Sequence, residues 1–359
     1  MNDRPLLFRR APFVVSYWDG SQLIFENYAS GERITAAPLT ATILDFFDTW
    51  RSTDELARRL SDYTPASLRV AVGSLERHTL LIRSDQGEPP RTAEMSSWMP
   101  WHPAAGFFHF STKDARFTND PVIDRRLNAK ARHSPAPPAV KRYRRKERVQ
   151  LPSIDHEDDF SQVLLSRRTW RRFSQRELST ADLSTLLGLT WGVQGWFTMP
   201  APQSPLAKKT SPSGGARHAI EVYVLARRVR DLRPGIYHYE AGHHFLELLR
   251  LGADRRQIAR YLPAQWWFES AAALMIMTAV FPRVQWKYEM SRAYRMVLIE
   301  AGHLCQTFCL TATSLGLAPF CTMSLADSKI EQDLGIDGVN ESVIYVAGVG
   351  ARPRDGNPM

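Results

Sequence analysis

The stretch from Tyr288 to Leu315 constrains this chain more than any other. It reads as one long helix with apolar side chains around its circumference and two small residues, Ala301 and Gly302, in the middle. A helix that is apolar all round has to be enclosed by other elements or by a second chain. The segments around it read as strands. Ile220, Val222 and Val224 alternate, Gly235 to Tyr239 and Phe245 to Leu249 flank an Ala241-Gly242 turn, and Ser342 to Val349 closes the series. The longest apolar run, Ala271 to Phe281, has eleven residues. A membrane helix needs ~20, so this run reads as a fully buried strand and no membrane partner is expected. Strands and helices mixed around a central helix predict an α+β architecture with a mixed sheet.

At 359 residues the chain exceeds the ~100–200 usual for one domain, which predicts two. Its 44% hydrophobic and 23% charged residues are those of an ordinary globular protein. The three cysteines, Cys305, Cys309 and Cys321, lack CxxC spacing, which argues against a disulfide framework and a zinc site; no metal is expected. The first ten residues carry arginines but no apolar signal core, and a reducing cytoplasm is the expected compartment. Of the net charge of +9, a share of +5 sits in Lys141 to Arg148. Such a run serves as a solvated linker, a dock for acidic peptide or a nucleic-acid contact. Composition alone establishes no nucleic-acid partner, and none is expected.

Three parts follow along the chain. Residues 1–85 hold a hairpin pattern, Phe13 to Trp18 and Leu23 to Phe25 around Asp19-Gly20. Helical spacing follows in Leu39 to Trp50, then a capping box from Ser52 or Thr53 with Glu55, then a helix opened by Thr64-Pro65, then a strand at Leu80 to Ile82. This predicts a small winged-helix-like module. Residues 86–155 are dense in proline and include the basic run, so they read as a linker lying over the surface. Trp98, Trp101, Phe107, Phe108 and Phe110 suggest that part of it packs against a domain. Residues 156–359 form the larger domain, with a helix at Phe160 to Arg167 and another capped by Ser179.

Four segments carry chemistry. Arg167, Arg168, Thr169, Arg171 and Arg172 put four guanidiniums and a hydroxyl within six positions, which suits a phosphate. Ser211-Pro212-Ser213-Gly214-Gly215, followed by Ala216-Arg217-His218, stands just before a strand, where glycines allow close approach to a ligand. Lys287-Tyr288 places two proton-exchanging groups side by side. Leu315 to Met323 is a helix stop and loop. No dinucleotide fingerprint, Walker motif, HExxH or Gly-x-Ser-x-Gly occurs. For each segment the bland alternative is a surface cluster, a plain turn, an exposed lysine or a simple loop.

Together and in this order, the four segments resemble the nitroreductase-fold flavoproteins, and within them the SagB-type dehydrogenases that oxidise azolines in peptide natural products. The resemblance covers roughly residues 158 to 352. It implies a nitroreductase-like FMN-binding fold, with Arg167 and Thr169 at the FMN phosphate, Arg171 near the ring or ribityl chain, and Arg168 between them as a further cofactor-binding residue. It implies that SPSGGARHAIEVYV carries a flavin loop, Ser211 to Gly215, which crosses to the flavin of a partner subunit. Thr322 and Met323 would lie by the ring, although APFCTMSLAD departs from the family's glycine-rich loop. Arg352 in VAGVGARPR would be a phosphate ligand, and Lys287 and Tyr288 the proton-transfer pair. Residues 1–85 resemble the PqqD-like modules that hold leader peptides.

The expected activity is FMN-dependent oxidation of a thiazoline or oxazoline on a modified precursor peptide, in a homodimer and with a cyclodehydratase as possible partner. The alternative is another flavin oxidoreductase of this fold, such as an NAD(P)H-dependent quinone or nitro reductase. A DNA-binding regulator is a poorer fit. The helix from Pro65 to His78 bears only Arg69 and Arg77 as cations, too few for groove reading.

Overall fold

The computed structural model describes residues 6–118, 120–134, 136–141, 150–153, 156–198 and 205–359. Pro135 and the basic run from Arg142 to Arg148 lie outside the described residues. The chain forms two units, one of Met1–Lys113 with Gln285–Tyr294, the other of Asp114–Val284 with Arg295–Met359.

The first unit begins with strands β1 (Leu7–Arg10), β2 (Val14–Asp19), β3 (Gln22–Asn27) and β4 (Glu32–Thr35). Then come α1 (Leu39–Phe46), β5 (Arg51–Ser52), α2 (Thr53–Arg59), α3 (Pro65–Arg77) and β6 (Leu81–Arg83). The hairpin is present: β2 and β3 pair antiparallel with Asp19 opposite Gln22, leaving Gly20 and Ser21 as the turn. Ser52 caps α2 through the Glu55 amide while Glu55 returns to the Ser52 amide, satisfying two orphan donors at once. Thr64 caps α3 through Ser67, with Pro65 at the first position. The stripe Leu68, Val72 and Leu75 of α3 packs with Ile43, Phe47, Leu56 and Leu81 into one core.

Proline did not keep residues 86–113 irregular. Helices α4 (Pro90–Glu94) and α5 (Pro103–Ser111) both start on a proline, at the position whose N–H has no intrahelical partner. Trp98 and Trp101 are buried, edge to face at 5.4 Å, with His109 stacked on Trp98.

The second unit holds α6 (Asp120–His133), α7 (Asp159–Ser166), α8 (Thr180–Thr190), β7 (Gly195–Phe197), β8 (Leu206–Lys208), β9 (Ile220–Ala226), β10 (Gly235–Glu240) and β11 (Phe245–Leu251). It continues with α9 (Arg255–Tyr261), β12 (Ala273–Val280), α10 (Phe281–Gln285), α11 (Ala293–Ser314), β13 (Leu317–Thr322), α12 (Asp327–Leu334) and β14 (Glu341–Ala351). The main sheet runs β11-β10-β9-β12-β14-β13 with antiparallel ladders, and a parallel bridge joins Leu178 to Val229. As expected of a fully buried strand, β12 lies inside it, with Ala273 to Met277 wholly enclosed. One face of the sheet is closed by Phe320 stacked on Phe268 at 3.7 Å, with Phe173, Leu274 and Ile330 around them. Helix α11 starts at Ala293, five residues after Tyr288, and its Phe308 meets Trp191 at the end of α8. Among the described residues no helix is long and apolar enough to cross a membrane.

Candidate functional site

The arginine segment is held by its backbone. Trp170 N–H donates to Pro319 O (2.9 Å), Arg171 N–H to Pro358 O (2.8 Å) and Ser174 N–H to Ala351 O (2.9 Å). Trp170 and Phe173 are buried, which leaves Arg168, Arg171 and Arg172 exposed and Arg167 and Thr169 half-buried. Arg168 turns back on the Leu165 carbonyl, Arg171 reaches Met359 Sδ, and Arg172 pairs with Asp355 at 2.9 Å. The Arg167 guanidinium has no hydrogen bond or ion pair among the described residues, yet it lies close enough to Cys309 and Cys321 for its charge to reach both thiols. Arg352 gives Nε to Leu317 O (2.9 Å) and Nη2 to Thr313 O (3.2 Å), and its guanidinium stands 5.2 Å from the Trp170 ring. It ties the end of α11 to β13, where a cation also suits the helix dipole. Thr322 spends its hydroxyl on Gln265 Oε1 (2.6 Å), and Met323 is exposed.

Beside this segment the three cysteines meet, all free thiols, with their sulfurs within 4.8 Å of one another. Hydrogen bonds from Cys305 and Cys309 make Cys321 the acidic member, while Cys305 is pushed up. The meeting of α11 with β13, twelve residues beyond Cys309, is invisible in the spacing of the sequence.

The Ser211–Gly215 loop is fixed on α11 as well. Ser211 Oγ lies 2.7 Å from Thr307 Oγ1, His303 Nδ1 donates to Pro212 O (3.2 Å), and Ser213 Oγ donates to Glu300 Oε2 (2.6 Å). Glu300 is buried and also accepts from the Ile220 amide (3.3 Å); burial pushes its pKa up. Gly215, Ala216 and His218 have φ of 61°, 54° and 43°. Two of these are not glycines, so the loop stores backbone strain of the kind that gathers at functional sites. A Cβ on Gly214 would come within 1.8 Å of Met296 Cε, so the loop sits against the helix only because that side chain is missing.

The two loci occupy different faces of α11. At 100° per residue, Glu300, His303 and Thr307 form one stripe and Cys305, Cys309 and Thr313 the opposite one. Lys287 and Tyr288 are elsewhere, in the first unit. Lys287 is exposed with Nζ 5.5 Å from the Tyr288 ring centre; Tyr288 is half-buried, and its carbonyl accepts from Trp101 Nε1 at 3.0 Å. Trp286, the neighbour of Lys287, is itself 59% exposed.

Sequence reasoning missed a second polar group around Arg217-His218. Lys209, Glu221, His238 and Arg283 join them from separate elements, lining a cavity of about 580 Å³. Only the Arg-His pair stood out in the sequence; Glu221 and His238 come together across β9 and β10, and Lys209 and Arg283 join them from the segment after β8 and from α10.

The profile of the Nitroreductase family matches residues 164–351. A Methanocaldococcus jannaschii protein assigned as a nitroreductase is 30% identical over 188 residues, covering 52% of this chain and 89% of its own. The trifolitoxin-processing protein TfxB of Rhizobium leguminosarum bv. trifolii is 30% identical over 173 residues, 47% of this chain and 46% of TfxB. The match thus spans about half of that relative. The trifolitoxin operon protein TfxC of the same organism is 23% identical over 259 residues, 67% of this chain and 70% of TfxC. With just over half of its residues inside the family profile, and with the expected α+β sheet and long helix, the chain belongs to the nitroreductase family.

Proposed function

We propose that this chain is an FMN-dependent dehydrogenase of the SagB type, oxidising thiazoline or oxazoline rings on a modified precursor peptide to azoles. The observation that carries the reading is Arg167. It is a half-buried guanidinium with no hydrogen-bonding partner among the described residues, at the head of an arginine segment, in a chain 30% identical to a trifolitoxin-processing protein. The donor set fits FMN. Arg167, Arg168, Thr169 and Arg171 supply cations and a hydroxyl for the phosphate, while Ser211 to Gly215 offers a strained, glycine-lined backbone for the ring. Arg352, committed to two carbonyls, supports this place from behind.

Because the arginine segment and the loop lie on opposite stripes of α11, one flavin held by both needs the loop of a second copy. Two features favour such a homodimer. Helix α7 buries none of its residues and exposes Phe160, Leu164 and Leu165, and α11 leaves Ile299 57% exposed beside Gly302. Large uncovered apolar surface marks an interaction site.

Aromatising an azoline removes a hydride and a proton. When bound, FMN supplies the acceptor for the hydride. The chain must take the proton, and Lys287 Nζ is assigned as the base, with the Tyr288 hydroxyl orienting it. Residues 1–85 are assigned as the peptide-holding module. Strand β2 pairs only with β3 among the described strands, and a cavity of about 530 Å³ runs beside it, lined by Phe13 to Ser16 and by Ala41 and Leu44 of α1. An extended peptide added to such an edge gains main-chain hydrogen bonds.

The experiment is to purify the protein, release and identify its flavin, and incubate it with azoline-bearing peptide, reading the loss of two mass units per ring. Yellow protein that releases FMN, scatters light as a dimer and converts the peptide is the expected result. A second reading, an NAD(P)H-dependent reductase of quinones or nitro compounds, is favoured by the match to the archaeal relative, which covers 89% of that protein. Turnover of NADPH with a quinone and no change in peptide mass would replace the first reading by the second.

A further inference from the structure

We propose that the cavity between β9, β10 and the β7–β8 hairpin is a second binding site, for an organic anion: a carboxylate or phosphate on an apolar or aromatic body. It lies wholly within the second unit and measures about 580 Å³, within the ~300–1,000 Å³ of small-molecule pockets. The proposal stands without the azoline reading.

Charge gives the sign of the ligand. Lys209, Arg217, His238 and Arg283 line the cavity as cations, against Glu221 and Glu240. The acids are already spent. Glu221 pairs with Arg283 and lies 3.3 Å from His238 Nε2, and Glu240 accepts from the Gly242 and His243 amides. His238 also meets Glu247 at 2.8 Å; between two carboxylates its pKa is pushed up to about 9, so it stays protonated at neutral pH. Lys209 remains. It is half-buried, with no hydrogen bond or ion pair among the described residues, and burial lowers its pKa against the more distant pull of Glu221 and Glu300. A partly desolvated ammonium that no carboxylate touches is costly, and an anionic ligand in contact with it would relieve it.

The surroundings give the rest of the ligand. His218 is pushed down to about 4 by burial and by Lys209, so it is neutral, and its Nε2 donates to Ala207 O at 2.9 Å. Its strained φ is locked by the Ser213 hydroxyl at its amide and by Arg283 at its carbonyl. This fixes the cationic wall before any ligand arrives, which lowers the cost of binding. Val193, Leu206 and the 58% exposed Trp196 supply apolar lining. A free inorganic ion would leave that apolar lining and most of the volume unused.

The test uses the full-length protein as purified and follows Trp fluorescence and heat of binding. Phenyl phosphate and benzoate should bind at least tenfold more tightly than neutral benzamide. Lys209→Met should weaken both anions at least tenfold, and Lys209→Arg should restore them. Two further probes separate the sources: N-acetyl-Phe-Asp-amide for an acidic peptide side chain, and adenosine 2′-monophosphate for a nucleotide phosphate. The tighter of the two names the source. Equal binding of benzoate and benzamide, absence of binding by all probes at millimolar concentration, or anion binding by Lys209→Met equal to the parent's would each overturn the proposal. Loss of flavin from Lys209→Met would overturn it too, by giving the cavity to the flavin.

Discussion

Lys209 and Lys287 are the same residue type in opposite settings. Lys209 sits half-buried before a strained loop, its pKa lowered by burial, with Glu221 and Glu300 pulling against that and Arg283 adding to it. Lys287 is exposed, on a segment held by Trp101 at the Tyr288 carbonyl. A lysine at its reference pKa of ~10.4 is almost wholly protonated at neutral pH and cannot serve as a base. Activation needs desolvation or a neighbouring cation. Lys209 has both within its own unit. Lys287 has its side chain in solvent, with Nζ 5.5 Å from the Tyr288 ring.

The largest expected effect breaks or keeps this contrast. Lys287→Ala should retain the flavin and peptide binding while azole formation falls by ~10²–10⁴, the usual worth of general-base assistance. Tyr288→Phe should lose less. Rates are read by mass loss under single-turnover conditions. Parent-like turnover by Lys287→Ala would move the proton to another group, and a different flavin reaction would then be the better account.

The contrast also marks what the sequence could express. Local signals survived folding well. Asp19-Gly20 made its hairpin, Ser52 with Glu55 made its capping box, and Ala271 to Phe281 contained the buried strand, because each depends on neighbours a few residues away. The helix expected from Leu39 to Trp50 stops at Phe46, where the chain turns toward β5. Proline misled in residues 86–113, since a proline at a first helical position starts a helix instead of breaking one. At the site, the arginine segment and the serine-glycine loop were legible as compact motifs. Their placement on opposite faces of α11 was not, nor was the gathering of Glu221 and His238 from neighbouring strands with Lys209 from the segment after β8 and Arg283 from α10, which only the tertiary fold decides.

A middle-sized effect tests the rigidity of the Lys209 side. Glu300 anchors Ser213 and the Ile220 amide from inside the protein, with its pKa raised by burial. A carboxyl raised on folding keeps its proton in the folded chain at pH values where the unfolded chain has released it. Its contribution to stability is therefore full below the ordinary carboxylate pKa and declines as pH climbs through the raised value. Glu300→Gln keeps the shape and removes the charge. The variant should melt with a flatter pH dependence across that window and lose loop rigidity little. An unchanged pH profile of the melting temperature would mean that Glu300 ionises as freely in the folded chain as in the unfolded one.

The smallest expected effect probes how the Lys287 segment is held. Trp101 is buried, and its Nε1 donates to the Tyr288 carbonyl at 3.0 Å, while its ring packs edge to face on Trp98. Trp101→Phe keeps much of the apolar body and deletes the donor. A neutral hydrogen bond is worth a net ~0.5–1.5 kcal/mol, which sets the expected loss of stability. At ~1.4 kcal/mol per tenfold, a matching loss of positioning slows azole formation by roughly two- to tenfold, well short of the Lys287→Ala effect. The flavin spectrum should not change, because the arginine segment and the Ser211 loop both belong to the other unit. Melting temperature and single-turnover rate, measured on one preparation, separate the two contributions. A variant that melts earlier but oxidises peptide at the parent's rate would show that the Trp101 bond only braces the fold. One that keeps its melting temperature but slows several-fold would make Trp101 a positioning residue for Lys287 and Tyr288.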